Sequence, residues 1–347
     1  CSGPSPLSRG MASLIPFGVL TLCLFSFATC LGRPADGDLL KFVKLSPAMV
    51  AVHNKSGWLD LFQDDAFVED PVGTSRHEGL ENLSKFYDVF IAPTEVTFSH
   101  RFDIVSGNNV LRFVNITATP TGTDCTTNQP AVLWYKVRVP DTGDLAIRAM
   151  EAHWQLQDRI HELMGERGAV KVGVQMSERI LKYFGMKALL QYGRGVLGIG
   201  SKGIEAARAV NSMLNSHDGS QVEKFFQADS APPVLNCESD FDACACDGGA
   251  FFGIYDMPKR TLACGTAQVK QVLQASGLTA THTIIKAYHS GDRVALVGAL
   301  SSKCVVSRQG GCVEGAPGDA ERSTLAIVEF SSHKKIQAMH IFVGIPL

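Results

Sequence analysis

The sequence predicts an α+β protein built from two related domains with a helical segment between them. Three observations carry that expectation. First, the chain repeats itself weakly: "SGWLDLFQDDA" opens and "IRAMEAHW" closes one segment, while "SQVEKFFQADSA" opens and "IQAMHIFV" closes another. Phe62-Gln63 then matches Phe226-Gln227, and Ile147, Ala149 and Met150 match Ile336, Ala338 and Met339. Second, each copy reads helices first and strands after, the order of helices packed on an antiparallel sheet. Third, apolar residues recur at helical spacing between the copies. The domains are expected over 34–158 and 206–347, with the connector over 159–205 and a leader with signal peptide over 1–32.

The first methionine is Met11, and residues 1–10 read either as protein or as upstream sequence. From Met11 runs "MASLIPFGVLTLCLFSFATCLG", uncharged until Arg33 and ending in small residues, the pattern of a secretory signal cut near Cys30 or Gly32. An uncleaved anchor is the alternative. No later stretch approaches the roughly 20 apolar residues a spanning helix needs, so no stable membrane span is expected after cleavage. Secretion is the expected localisation, and the sequons at Asn54, Asn82 and Asn115 are candidate glycosylation sites.

Ser46-Pro47 reads as an N-cap and first helical position. "WLDLFQ" supplies a short helix, and Leu83, Tyr87 and Phe90 stripe another through "LENLSKFYDVF". Strands follow in "EVTFSHRFDIV", "NVLRFVNITAT", "VLWYKVRV" and "IRAMEAHW", parted by turn residues. Alternation puts Leu133, Tyr135, Val137 and Val139 on one face and Lys136 and Arg138 on the other; Met150, Ala152 and Trp154 share a face. In the connector, Ile160, Leu163 and Met164 form one helical stripe and Met176, Ile180 and Phe184 another. Gly193 to Gly198 has the G-x-G-x-x-G spacing, but it follows a helix rather than a strand. It reads as a glycine-rich helix exit, and no cofactor is expected.

Of the ten cysteines, Cys1, Cys23 and Cys30 lie in the leader, Cys125 stands alone, and six crowd the second half. An even set in an oxidising compartment favours disulfides, and Cys304 and Cys312, flanking "VVSRQGG", are the pair expected. Cys-Ala-Cys in "CESDFDACACDGG" lacks the two-residue spacing of zinc knuckles and has no nearby His, so no metal is expected. Forty-five per cent apolar residues can build real cores, and a net charge of −2 gives no basic field for phosphate, so no nucleic-acid partner is expected.

The block "FQDDAFVEDPVGTSRHEGLENLSKFYDVFIAP" resembles the opening of ketosteroid isomerases and SnoaL-like polyketide cyclases. Those families share the cone-shaped α+β fold of nuclear transport factor 2. "VEDPVG" is similar to their general-base segment, the spacing from Asp70 through Gly79 to Phe86-Tyr87 fits without a gap, and "IRAMEAHW" resembles their closing strand. The resemblance covers most of the first domain and is architectural in the second; tandem copies joined by a helical segment also resemble bacterial proteins of this superfamily. It implies two cones and a pocket in the first, lined by Trp58, Phe86, Tyr87, Phe90, Met150 and Trp154.

Asp70 takes the base position that the resemblance implies. A carboxylate at the rim of an apolar cavity can lift a proton from carbon beside a carbonyl and return it elsewhere. A hydrogen-bond donor must then stabilise the dienolate oxygen. The family uses a Tyr and a protonated Asp, and this sequence departs on both. Met49 stands near the Tyr position and Tyr135 takes the Asp position; a slip of one would place Lys136 there. Tyr135 keeps Lys136 and Arg138 on the outer face, and Tyr87 is a second candidate donor.

The plainer readings stand beside these. Asp70 is otherwise a turn former ahead of Pro71, Glu69 a surface charge, His77 a solvent-facing turn residue, and His153 an outward one. Aligning Phe226-Gln227 on Phe62-Gln63 puts Leu235 or Asn236 at the Asp70 position, and neither takes a proton at neutral pH. The function expected is binding of a small apolar carbonyl compound of steroid, polyketide or terpenoid type, with isomerisation through Asp70. The alternative is a non-catalytic ligand-binding or protein-interaction module. Sheet-to-sheet pairing, within one chain or between two copies, is the remaining partner expectation.

Overall fold

The computed structural model describes residues 34–140, 144–164, 168–237, 243–256, 259–274, 280–302, 304–306, 312–314 and 322–344. The leader therefore lies outside the described residues. The first unit opens with helices α1 (Asp36–Val43), α2 (Leu45–Ala51) and α3 (Lys55–Leu59). Strands β1 (Phe62–Glu69) and β2 (His77–Glu78) follow, then α4 (Gly79–Phe86), which runs on as a π-helical turn over Tyr87–Ile91. The chain then winds through β3 (Thr94–Ser106), β4 (Asn109–Pro120), β5 (Thr127–Arg138) and β6 (Ala146–His153). These form a six-stranded sheet in the order β2-β1-β6-β5-β4-β3, in which β1 and β6 run parallel and the other neighbours antiparallel.

Two differences from the sequence reading sit at the start. "WLDLFQ" is not one helix: α3 stops at Leu59 and Phe62 already pairs with Ile147. Ser46 is not an N-cap but lies inside α2, where its buried hydroxyl accepts a hydrogen bond from Trp58 Nε1 at 3.2 Å.

The connector forms α5 (Leu156–Met164) and α6 (Ala169–Leu197), the latter bent at Gly185, where φ is +78°. Met176, Ile180 and Phe184 pack on Val89 and Phe90 of the first unit, whereas Met164 is exposed. The second unit follows with α7 (Gly200–Ser216), α8 (Val222–Phe225), a ribbon of β7 (Val234–Asn236) and β8 (Ala245–Asp247), then β9 (Phe251–Asp256) and β10 (Lys259–Cys264). After α9 (Thr266–Gln274) come β11 (Ala280–Ser290), β12 (Arg293–Ser302), a hairpin of β13 (Cys304–Val306) and β14 (Cys312–Glu314), β15 (Arg322–Phe330) and β16 (Ile336–Val343). Its six-stranded sheet runs β10-β9-β16-β15-β12-β11, the topology of the first.

The repeat read in the sequence is a spatial one. Phe62 pairs with Ile147 and Phe226 with Ile336, both in parallel register. Beyond that point the copies diverge. Phe67 pairs with Ala149, while the residue opposite Ala338 is Phe251. The Cys-rich insert thus lies between Phe226 and β9, and the residue equivalent to Asp70 is Ile254, not Leu235 or Asn236. The insert is closed by two disulfides, Cys237–Cys244 and Cys246–Cys264. Cys304 and Cys312 fall on the β13–β14 hairpin, but their side chains, and with them the expected bridge, lie outside what is described.

The two sheets pack on each other through their outer faces. Because side chains alternate across a strand, the register that turns Leu133, Tyr135 and Val137 into the first cone turns Val132 and Trp134 toward the second sheet. Trp134 meets Phe342 edge-on at 5.4 Å, and Phe342 stacks on Tyr255 at 4.8 Å. This is the sheet-to-sheet pairing within one chain.

Charges read as surface features are drawn into this seam. Glu69 is buried: its Oε1 accepts the Gly73 N–H at 2.8 Å, and its Oε2 lies 3.5 Å from Arg293 Nη1 of the second unit. Arg293 also bonds Glu151 at 2.9 Å, and Lys136 reaches the other oxygen of Glu151 at 2.8 Å. Burial alone would raise the Glu151 carboxyl, but Lys136 and Arg293 outweigh it and hold it well below the usual carboxylate range. His153 does turn away from the cone, yet that direction is the seam rather than solvent; burial drives it down to about 3. The two units meet again where Gly73, at φ +87°, lies backbone to backbone against Gly291. Ile199 N–H donates to Gly291 O at 2.5 Å, so the glycine-rich exit of the connector is clamped into the same contact.

Candidate functional site

A cavity of about 110 Å³ occupies the first cone. Its walls are the inner face of the sheet (Ile116, Leu133, Tyr135, Met150), helix α2 (Ser46, Pro47, Val50), the aromatic group Trp58, Phe86 and Phe90, and the connector. Asp70 stands at its edge because β1 ends at Glu69 and alternation turns Glu69 to the seam, leaving the next side chain for the interior. Trp154, the residue after β6, donates its Nε1–H to Asp70 Oδ1 at 2.6 Å. Burial raises the Asp70 carboxyl above its ordinary value, with the Trp154 bond and the nearby Arg159 guanidinium pulling part of the way back.

Tyr135 lines the same cavity beside the Ser46 hydroxyl, and burial raises its phenol, so it is a proton donor across the neutral range. Asp70, Tyr135, Trp58, Phe86, Phe90, Met150 and Trp154 thus share one chamber. Tyr87 does not line it; it is buried behind Trp58, with ring centroids 5.5 Å apart, and its hydroxyl has no partner among the described residues. Met49 is also absent from the wall, the α2 positions that face it being Ser46, Pro47 and Val50. His77, expected in solvent, is buried among the rings of Phe184 (4.5 Å), Phe86 (5.1 Å) and Phe90 (6.0 Å), and burial pulls it down to about 4. The three sequon asparagines differ in setting: Asn54 is exposed and caps α3 through Gly57 N–H, Asn82 donates to Glu78 O, and Asn115 is half-buried in β4.

The connector closes the cone, which the sequence reading did not anticipate. Met176, Tyr192 and Arg159 all line the cavity, and burial raises the Tyr192 phenol as it does Tyr135. A signal was present. Extending the stripe Met176, Ile180, Phe184 by fours leads to Ala188 and then Tyr192, one continuous face. Gln129 was missed too; on β5 it falls on the same face as Tyr135, six residues along.

The SnoaL-like domain family matches residues 45–144. No curated protein matches the chain. Among solved structures, a Mycobacterium tuberculosis protein in complex with estradiol-17beta-hemisuccinate is similar at 25% identity, with a TM-score of 0.31, over 34% of this chain and 93% of that one. A computationally designed 17-OHP binder is similar at 23% identity and TM-score 0.31, over 34% of this chain and 92% of that one. Delta 5-3-ketosteroid isomerase from Mycobacterium sp. is similar at 22% identity and TM-score 0.31, over 33% of this chain and 92% of that one. The match to the SnoaL-like domain falls within the first cone, from helix α2 to the loop after β5.

Proposed function

We propose that the first cone binds a small apolar carbonyl compound and moves a proton on it through Asp70. The observation that carries this reading is the convergence of one carboxylate and two phenols, Tyr135 and Tyr192, on a single apolar chamber. Asp70 would take the proton from the carbon between the carbonyl and a β,γ double bond. The electron pair moves into the dienolate, whose oxygen receives a hydrogen bond from a phenol, and the new carboxylic acid returns the proton to the γ-carbon. A carboxyl raised by burial is a stronger base than one in water, which favours the first step.

Size narrows the substrate class. Pockets for drug-sized ligands run to roughly 300–1,000 Å³, and an engineered apolar cavity of about 150 Å³ holds benzene. The chamber, at about 110 Å³, therefore suits a one-ring terpenoid or a short polyketide unit. A four-ring steroid would need Met176 and Tyr192 to move aside.

Cyclohex-3-enone is a one-ring test substrate whose conversion to the conjugated ketone is followed by ultraviolet absorbance. Asp70→Asn should slow the reaction at least about 100-fold, and Tyr135→Phe by about tenfold or more. Equal rates for the native protein, Asp70→Asn and buffer would leave the cone as a binding site without turnover. That second reading draws on the bond from Trp154, which already occupies one oxygen of Asp70.

A further inference from the structure

The residues lining the cavity include two with formal charge, Asp70 and Arg159. Arg159 is half-buried, its guanidinium 5.4 Å above the Trp154 ring, and among the described residues none of its side-chain donors is engaged by a hydrogen bond or ion pair. A guanidinium carries five N–H donors in a fork that matches a carboxylate. Half-buried in the wall, with its charge already acting on Asp70, that fork has donors open to a further anion or to water.

A second open group stands at the same end. Gln129 is 7% exposed, lines the cavity, and its amide makes no hydrogen bond among the described residues. The register brings it near Arg159. Val132 pairs with His153, so Trp154 follows opposite Ala131, two residues from Gln129, and Asn128 N–H donates to Glu162 Oε1 at 3.3 Å, tying the start of β5 to α5, the helix of Arg159. Elsewhere in the wall polar groups are already engaged: Ser46 accepts from Trp58 and stands beside Tyr135.

We propose that the cavity selects small hydrophobic acids, with Arg159 pairing to the ligand carboxylate and Gln129 donating a further hydrogen bond, so that the substrate is a one-ring keto acid rather than a neutral ketone. This rests on the reading of the first cone as a binding site for an apolar carbonyl compound, and adds the charge of that compound. Arg159 acts here as a specificity residue from outside the matched domain, since it belongs to the connector.

The test uses 4-oxocyclohexanecarboxylate and its uncharged amide, titrated into the full chain by calorimetry at neutral pH. The acid should bind at least about tenfold more tightly than the amide, as a charge-assisted bidentate contact would give. Arg159→Gln should erase that preference, Arg159→Lys should keep part of it, and Gln129→Leu should weaken the acid severalfold. Asp70→Asn should retain the acid preference even where it abolishes isomerisation, and a native protein that shows the preference without turnover sinks the proton-transfer reading and not this one. Equal binding of acid and amide, binding of neither, or an acid preference that survives in a folded Arg159→Gln overturns the proposal.

Discussion

The two cones share one frame and differ at its centre. Superposing their registers makes Met150 equivalent to Met339, since Tyr135 pairs with the first and Val328 with the second. Asp70 then corresponds to Ile254, Tyr135 to Val328 and Trp154 to Val343. In the second unit all three positions are buried in a continuous apolar core with Phe226, Phe252, Leu296 and Phe330. The difference is in chemistry at matched positions: one copy keeps polar groups around a void, while the other places aliphatic side chains there, packed with aromatic ones. Polar groups facing an unfilled chamber weaken a fold, so a second, conventional core sheet-packed behind the first is a physically sensible support.

The largest effect is expected at the seam that joins the two. Arg293 sits between Glu69 and Glu151, both buried, with Glu329 at 3.8 Å. Arg293→Met would leave those carboxylates with reduced compensation, costing about 3–5 kcal/mol in urea unfolding. A loss below about 1 kcal/mol would mean the units are held by the apolar contacts of Trp134 and Phe342 alone.

Besides His153 and His340 at the seam, each unit buries a further neutral histidine, His77 in the first and His282 in the second, and these two should respond differently. His77 is packed in rings; His282 is bonded at Nδ1 to Asn211 and at Nε2 to Thr324 Oγ1, the latter at 2.6 Å. Burial lowers both from 6.5 to about 4. The unfolded chain therefore takes up the proton first as pH falls, and stability is lost between about 6.5 and 4. His282→Leu strands two buried partners and should cost about 2 kcal/mol at pH 7. His77→Leu should be nearly neutral at pH 7 and should reduce acid sensitivity. Equal costs at pH 7 would show that the rings around His77 require its imidazole.

The smallest expected change converts one cone to the other. Asp70→Ile with Tyr135→Val installs the second unit's residues in the first and should raise stability by about 1 kcal/mol at pH 7 while abolishing turnover. The sign follows from the raised Asp70 carboxyl: the folded state protonates first, so the penalty of the buried charge is full above its folded value and gone below 3.8. The double variant's advantage over an Asp70→Asn, Tyr135→Phe control should therefore be small, and its advantage over the native protein should vanish in acid. A destabilised double variant would instead assign the chamber to a space that aliphatic side chains cannot fill.

What lies along one strand or one helix was fixed by sequence, because alternation and the helical stripe are local geometry. That logic placed Tyr135, Met150 and Trp154 on inner faces, paired Phe62 with Phe226 in the repeat, and set β3, β4 and β6 within a residue or two, while β5 starts five residues before the run read for it and β1 and β2 were not read as strands. Contacts across elements were decided by tertiary structure. Glu69, His77 and His153 look like exposed residues locally and are buried because a second sheet or a connector helix covers them. Arg159 and Tyr192 join Asp70 only because the connector folds back over the cone. Sequence spacing carries the period of a single element; which face meets which neighbour depends on a bend at Gly185 and on glycine-to-glycine contact at Gly73 and Gly291, distances that only the packed chain defines.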